Sequence, residues 1–475
     1  MKGFTSRPAV VAGLAFAITA GGCSGGPAGE GSNRSELRPE PGENLPGGDT
    51  TNVLLFGSKA FTQAAENVTA EHERSFFSGN SFFSSSWVQA PASTTARDGL
   101  GPLFNARSCS TCHFEDGRGR PPLTDDELFS SMLLRIGTGA LGEDGAPEGD
   151  PTYGGQLQPL AISGVSGEGT PRHTCSPSER AFADGETYEL LAPSYWIEAE
   201  AYGGAAARLA LSPRVAPQMI GLGLLEAIPE ERLRELEDPD DLDGDGISGR
   251  LNVVLEVETG SYGVGRFGWK AEQPSVRQQS AGAFNGDIGI TTSLFPLEEC
   301  TSAETECASA QTGGEPEATD TVLDAVAIYS RLLAPPARAR YADPAVLEGK
   351  ALFSELGCDS CHTPKHETGP SDLEELGGQT IWPYTDLLLH DMGDALSDER
   401  PSFAALGSEW RTPPLWGIGR IPEVNGHDRL MHDGRARGVA EAILHHAGEG
   451  ANARDGFIAL SSDERAKVVQ FVESL

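Results

Sequence analysis

Two stretches of the chain place apolar residues at helical spacing and end on clear stop signals. Residues 321–333 bring Val322, Leu323, Val326 and Ala327 to one face, and Pro335-Pro336 after Ala334 predict the end of a helix. Residues 461–475 show the same pattern at the end of the chain, with Ser462 or Asp463 placed to cap it. A third apolar run, Ala9 to Ala20, is too short to span a bilayer. Lys2 and Arg7 precede it and Ala20-Gly21-Gly22-Cys23 follow, the proportions of an export signal with a lipoprotein-type cleavage site. Residues 1–23 are therefore expected to direct export to the periplasmic side, with lipid attachment at Cys23 as the only membrane contact. The stretch 24–52, rich in Gly, Ser, Pro and Glu, reads as a flexible linker.

Cysteine spacing adds the strongest chemical signal. Cys109-Ser-Thr-Cys112-His113 and Cys358-Asp-Ser-Cys361-His362 are both C-x-x-C-H, the attachment pattern of c-type haem. The spacing is a physical requirement: two thioethers bracket one haem edge while the next His reaches the iron. A redox C-x-x-C or half a zinc site would leave both trailing histidines unexplained. Two covalently bound c-type haems are thus expected on Cys109, Cys112 and His113 and on Cys358, Cys361 and His362. Leu103-Phe104 and Leu352-Phe353 precede the two motifs at identical distance, and each motif is followed downstream by one of the helical patterns. The fold expected is mainly α, with two cytochrome c-like haem domains over 53–340 and 341–475. The first is enlarged by a loop-rich insertion at about 125–265.

Composition narrows the partners. The 475 residues include 35 Lys and Arg against 70 Asp and Glu, a formal charge of −35. That balance excludes nucleic acid and anionic membrane surfaces, which demand clustered cations. It is compatible with a basic protein partner. Asp241-Leu-Asp243-Gly-Asp245-Gly alternates hard oxygen ligands with a Gly at the sixth place, as in a calcium loop, although Asn252 stands where an EF-hand has its bidentate Glu. Cys300 and Cys307 are close enough in sequence to pair, leaving Cys175 alone, but pairing is not readable from sequence.

The chain also resembles the bacterial dihaem oxidoreductase family. The resemblance is carried by Asp98-Gly-Leu-Gly-Pro-Leu-Phe-Asn-Ala-Arg-Ser with the first haem motif, by Arg266-Phe-Gly-Trp-Lys-Ala271, by Trp410-Arg-Thr-Pro-Pro-Leu-Trp416 and by Leu430-Met-His-Asp-Gly-Arg-Ala436. It runs from about residue 53 to the end, and extends more distantly to dihaem cytochrome c peroxidases and MauG-type enzymes. It implies a peroxidase that reduces hydrogen peroxide at the N-terminal haem with electrons relayed from the C-terminal haem. The donor would be a small cytochrome c or cupredoxin. The alternatives are a MauG-like oxidase of another or protein substrate, or a non-catalytic dihaem electron carrier.

The resemblance also implies roles for single residues. Trp269 stands at the position of a tryptophan between the haems, Gln279 at that of a distal Gln, and Asp287 near that of a distal Glu. Asp287 comes two residues early and is one methylene short. Such a carboxylate beside a poorly solvated haem is suited to moving a proton between peroxide oxygens. The sixth ligand of the second haem aligns with His446, giving bis-His ligation. His390, Met392, Met431, His432 and His445 are its rivals, and Met219 and His173 are the candidates at the first haem.

Overall fold

The computed structural model describes residues 37–54, 56–205 and 209–475. The expected signal segment and Cys23 lie outside them. Among the described residues no helix is long and apolar enough to cross a membrane. The elements that position the site, in chain order, are helix α1 (Ala70–Ser84), strands β1 (Met132–Gly137), β2 (Thr170–Ala181), β3 (Thr187–Glu198) and β4 (Ala210–Val215), and helices α2 (Val276–Ile288), α3 (Asp320–Leu332), α4 (Pro344–Glu355), α5 (Val439–His445) and α6 (Ser462–Val472).

Both periodic stretches fold as helices, α3 and α6. The cap of α6 is Ser461, one residue before the expected position. Its hydroxyl accepts the Glu464 N–H while the Glu464 carboxylate accepts the Ser461 N–H, a reciprocal capping box. Each helix packs on a partner across a glycine. A Cβ on Gly79 of α1 would stand 2.0 Å from the Ala325 carbonyl oxygen of α3, and one on Gly349 of α4 would stand 2.0 Å from that of Lys467 in α6. Aromatic rings then fill the space beside each crossing: Phe76 and Phe83 against Tyr329, and Phe353 against Tyr384 and Phe471. The chain therefore carries two similar helix-pair modules.

The fold is mixed rather than mainly α, with 30% helix and 18% strand. The difference lies chiefly in the stretch read as loop-rich. β2 and β3 form a twelve-rung antiparallel hairpin from Thr170↔Glu198 to Ala181↔Thr187, and β1 pairs with β4 from Met132↔Val215 to Gly137↔Ala210. The hairpin crosses from one module to the other: Arg465 of α6 sits 3.8 Å over the Phe182 ring and pairs with Asp184 and Glu186 at the hairpin tip, and Arg437 pairs with Glu189. The two sequence halves are accordingly parts of one compact unit, Arg38–Leu475.

Residues 38–52, read as linker, are packed instead. The fully buried Glu43 meets Lys350 at 2.5 Å and Arg338 at 3.5 Å, Asn52 N–H donates to the Pro335 carbonyl, and Thr50 and Asn52 are buried. A polar, Pro-rich stretch looks flexible until its one inward carboxylate finds two cations elsewhere in the chain. The Leu-Phe pairs also diverge: Leu103-Phe104 is extended, paired with Leu160-Ala161, whereas Leu352-Phe353 lies in α4. Cys300 and Cys307 form a disulfide, and Cys175 is an exposed free thiol.

Candidate functional site

The two C-x-x-C-H segments are built alike despite their different surroundings. Cys109–Cys112 is one helical turn and Cys358–Ser360 a tight 3-10 turn, and in each the His N–H donates to the carbonyl of the first cysteine at 3.0 Å. The winding puts both thiols and the imidazole on one side. His113 Nδ1 lies 2.8 Å from the Pro217 carbonyl and His362 Nδ1 3.1 Å from that of Tyr384, so each Nδ1–H donates and each Nε2 keeps its lone pair free. A phenylalanine stands 6.2 Å from each ring, Phe83 for His113 and Phe353 for His362. Burial holds both imidazoles neutral, pushed down to about 4. Neutral, oriented imidazole is the form that binds a metal.

His446 follows α5 at its C-terminus. Its Nδ1 lies 2.7 Å from the Ala442 carbonyl, again leaving Nε2 free, and it is close enough to His362 to depress that group electrostatically. Both line one cavity, whereas His445 does not. His390 is unsuited to ligation. Its Nε2 is 2.8 Å from Asp386 and its Nδ1 2.7 Å from Glu449, occupying both nitrogens. Burial opposes its charge, but the Asp386 carboxylate and the ring's hydrogen bonds to Asp386, Cys361 and Glu449 outweigh it and hold the ring protonated well above the usual range. His173 is buried, stacked beside Tyr195 away from the cavity, while Met219 lines it.

Helix α2 supplies the other wall. Ser275 caps it, and Gln279, Ala283 and Asp287, spaced by four, present one face to the cavity, with Gly282 keeping that face low. The Asp287 carbonyl accepts the N–H groups of Asn105 and Ala106, tying the helix end to the chain just before Cys109. Asp287 Oδ1 accepts from Gln156 Nε2 at 2.8 Å. Burial raises the Asp287 carboxyl, with Arg135 and the Gln156 hydrogen bond acting against the rise. The structure thus brings Gln279 and Asp287 to the cavity that also holds Cys109, Cys112 and His113.

Trp269 is buried and lines the same cavity as both motifs, its Nε1–H donating to the Val215 carbonyl at 2.9 Å and the Arg118 guanidinium 5.1 Å from its ring. It shares an apolar cluster with Trp410, which stacks flat on His432 at 3.7 Å and 9°. Lys270 Nζ stands 4.5 Å from the Trp410 ring and pairs with Asp398 at 2.9 Å. Burial brings Lys270 down to about 8 and His432 to about 3. Trp410 and Gln156 were not foreseen. Trp410 falls inside a motif quoted above, but nothing local marks its stacking partner.

Both haem-type motifs, Trp269, Gln279, Asp287 and His446 line a cavity of about 800 Å³. That is toward the upper end of small-molecule sites, ~300–1,000 Å³. The thiols of both motifs border it unpaired, although Cys300 and Cys307 are joined. Free thiols, free imidazole nitrogens and an apolar space between them are a donor set that fits haem. At the third sequence-predicted site, the carboxylates that meet are Asp238, Asp241 and Asp243, with oxygen atoms within 4.8 Å of one another. Asp245 instead accepts the Ile247 N–H and borders the cavity.

One cavity bordered by two haem-type motifs defines the class, a redox protein with two haem centres. The comparison with family models makes this specific: residues 43–133 and 206–475 match "Di-haem oxidoreductase, putative peroxidase", and the chain belongs to that family. No curated protein and no solved structure matches it. The stretch foreign to the family model is 134–205, narrower than the expected insertion of 125–265, and it contains most of β1 and all of β2 and β3.

Proposed function

We propose that the chain is a dihaem c-type peroxidase, reducing hydrogen peroxide at the N-terminal haem with electrons relayed from the C-terminal haem. The observation that carries this reading is the convergence of Gln279 and Asp287 on the cavity beside His113. Cys109 and Cys112, with His113, would hold one haem; Cys358 and Cys361, with His362 and His446, would hold the other. When bound, the haems would supply the redox chemistry, His113 holding one and His362 with His446 the other. Asp287 takes a proton from the nearer peroxide oxygen and returns it to the leaving one, the task its raised carboxyl suits. The Gln279 amide orients the peroxide. Trp269 and its aromatic neighbours fill the space between the motifs and exclude water from the electron path. Two electrons and two protons per peroxide give two waters, and a small cytochrome c or cupredoxin delivers the electrons singly.

The strongly acidic surface supports a basic donor, the N-terminal run supports export with lipid attachment at Cys23, and the Asp241–Asp243 loop with Asp238 supports bound calcium. The test uses full-length protein matured with haem. Peroxide turnover should fall at least ~100-fold in Asp287→Ala, the usual scale for loss of a general acid–base group, and markedly in Gln279→Ala. Unchanged turnover in both removes the assignment. Low-temperature EPR of the fully ferric protein should show a high-spin signal beside a low-spin bis-His one or, where both irons are low-spin as isolated, a high-spin ferric signal once the C-terminal haem has been reduced; an N-terminal haem that stays low-spin in both states would make the protein an electron carrier.

A further inference from the structure

Asp287 is shorter than the acid the family resemblance implies at its place, and the structure shows what holds it. Gln156 lies in the stretch that the family model does not match. It is 1% exposed, and its Nε2 sits 2.8 Å from Asp287 Oδ1, 2.7 Å from Asn105 Oδ1 and 2.9 Å from the Gly286 carbonyl. One amide group therefore touches the carboxylate, the preceding backbone unit of α2 and the segment leading into Cys109. Asp287 Oδ1 is taken up by this contact, while the side chain still borders the cavity.

We propose that Gln156 is a positioning residue: it fixes Asp287 so that its second oxygen, Oδ2, serves the cavity, replacing the reach lost with the missing methylene. The proposal rests on the peroxidase reading above. A neighbour supplies the internal control. Gln158 Nε2 donates to the same Gly286 carbonyl at 2.7 Å, is also buried, and has no hydrogen bond to Asp287. Gln156 and Gln158 thus grip the same helix end, and only Gln156 grips the acid.

The other groups facing Asp287 are Arg135 from β1, Glu299 from the loop after α2, and the thiols of Cys109 and Cys112, which titrate no longer once they are thioethers. All are common to the variants below, so a difference between variants reports the changed glutamine.

The experiment measures fluoride binding to the holoprotein, fully ferric and half-reduced, by its Soret change between pH 4 and 8, a ligation that the protonated form of the distal acid favours and that involves no turnover. Wild type should bind fluoride with a pH midpoint set by Asp287. Losing a charge-assisted hydrogen bond should move that midpoint up by about one pH unit in Gln156→Leu, a tenfold change in proton affinity. Gln158→Leu should leave it in place, and Gln156→Asn, which keeps an amide of shorter reach, should shift it less than Gln156→Leu. Equal shifts in Gln156→Leu and Gln158→Leu, or none in either, overturn the proposal and leave only a structural role. If Gln156→Leu does not mature, Gln156→Asn against Gln158→Asn decides on the same criterion. Absence of fluoride binding in wild type, both fully ferric and half-reduced, overturns the peroxidase reading itself, and this proposal with it.

Discussion

Substituting Gly349 by Ala should weaken the C-terminal helix-pair module more than any surface change nearby. The added Cβ would lie 2.0 Å from the Lys467 carbonyl oxygen and 2.9 Å from Phe471 Cβ. An ordinary contact is ~3.5 Å or more, so α4 and α6 must separate by more than an ångström where they cross. Ala gains up to ~1 kcal/mol over Gly in helix propensity. Overpacking of a well-filled contact costs ~1–3 kcal/mol, and displacing Phe353 and Phe471 from their stack adds lost packing. The net expectation is ~1–3 kcal/mol of destabilisation. Because Phe353 stands 6.2 Å from His362, the shift reaches the ligand. Thermal unfolding followed by far-UV circular dichroism should show a lower midpoint, and the low-spin EPR signal of the proposed bis-His centre should broaden or move. Gly79→Ala, with the same 2.0 Å clash against α3, should lower the midpoint but leave that low-spin signal unchanged. A midpoint in Gly349→Ala equal to wild type would show that the helices can part freely, and would refute the reasoning.

Two further outcomes follow from the charged and aromatic groups at the centre. His390 is held as an imidazolium between Asp386 and Glu449, so its raised ionisation contributes stability that is complete below its unfolded value near ~6.5 and is lost as pH rises through the folded one. His390→Gln should flatten the fall of melting temperature above pH 7 and cost ~3 kcal/mol at pH 6 as a broken buried pair; parallel melting curves for the two proteins would count against it. On the proposed function, Trp269→Phe should slow electron transfer between the two haem centres in stopped-flow reduction while leaving the low-spin EPR signal unchanged; an unaltered rate removes Trp269 from the proposed path.

What the sequence made legible were features fixed by local rules. C-x-x-C-H is legible because thioether and ligand geometry constrain five consecutive residues, and α3 and α6 because apolar spacing and stop signals are written into single windows. Helix α1 was not seen. Its buried residues, Phe76, Gly79 and Phe83, are correctly spaced, but Ser78, Gly79, Asn80 and Ser81 dilute its propensity, and only packing on α3 makes it a helix. The β2–β3 hairpin was hidden by Pro171, Pro177 and Pro193, which read as loop. In a two-stranded ribbon every strand is an edge, so a missing N–H can face outward without breaking the ladder. At the site, Asp287 and Gln279 could be aligned one by one, but the hydrogen bond from Gln156 spans 131 positions and has no local trace.

The hairpin has a consequence for cooperativity. It leaves the first module after β1, reaches Arg465, Arg437 and the Ile458 carbonyl of the second, and returns to β4, so loss of either module strips the other of buried partners. The Glu43 contacts to Arg338 and Lys350 tie the start of the chain into the same load path. Two modules joined only by a linker would melt in separate steps; two joined by a belt that each must hold in place melt together. The distance between the two histidine-bearing turns is thereby set by folding itself, and stays fixed for as long as the protein is folded at all.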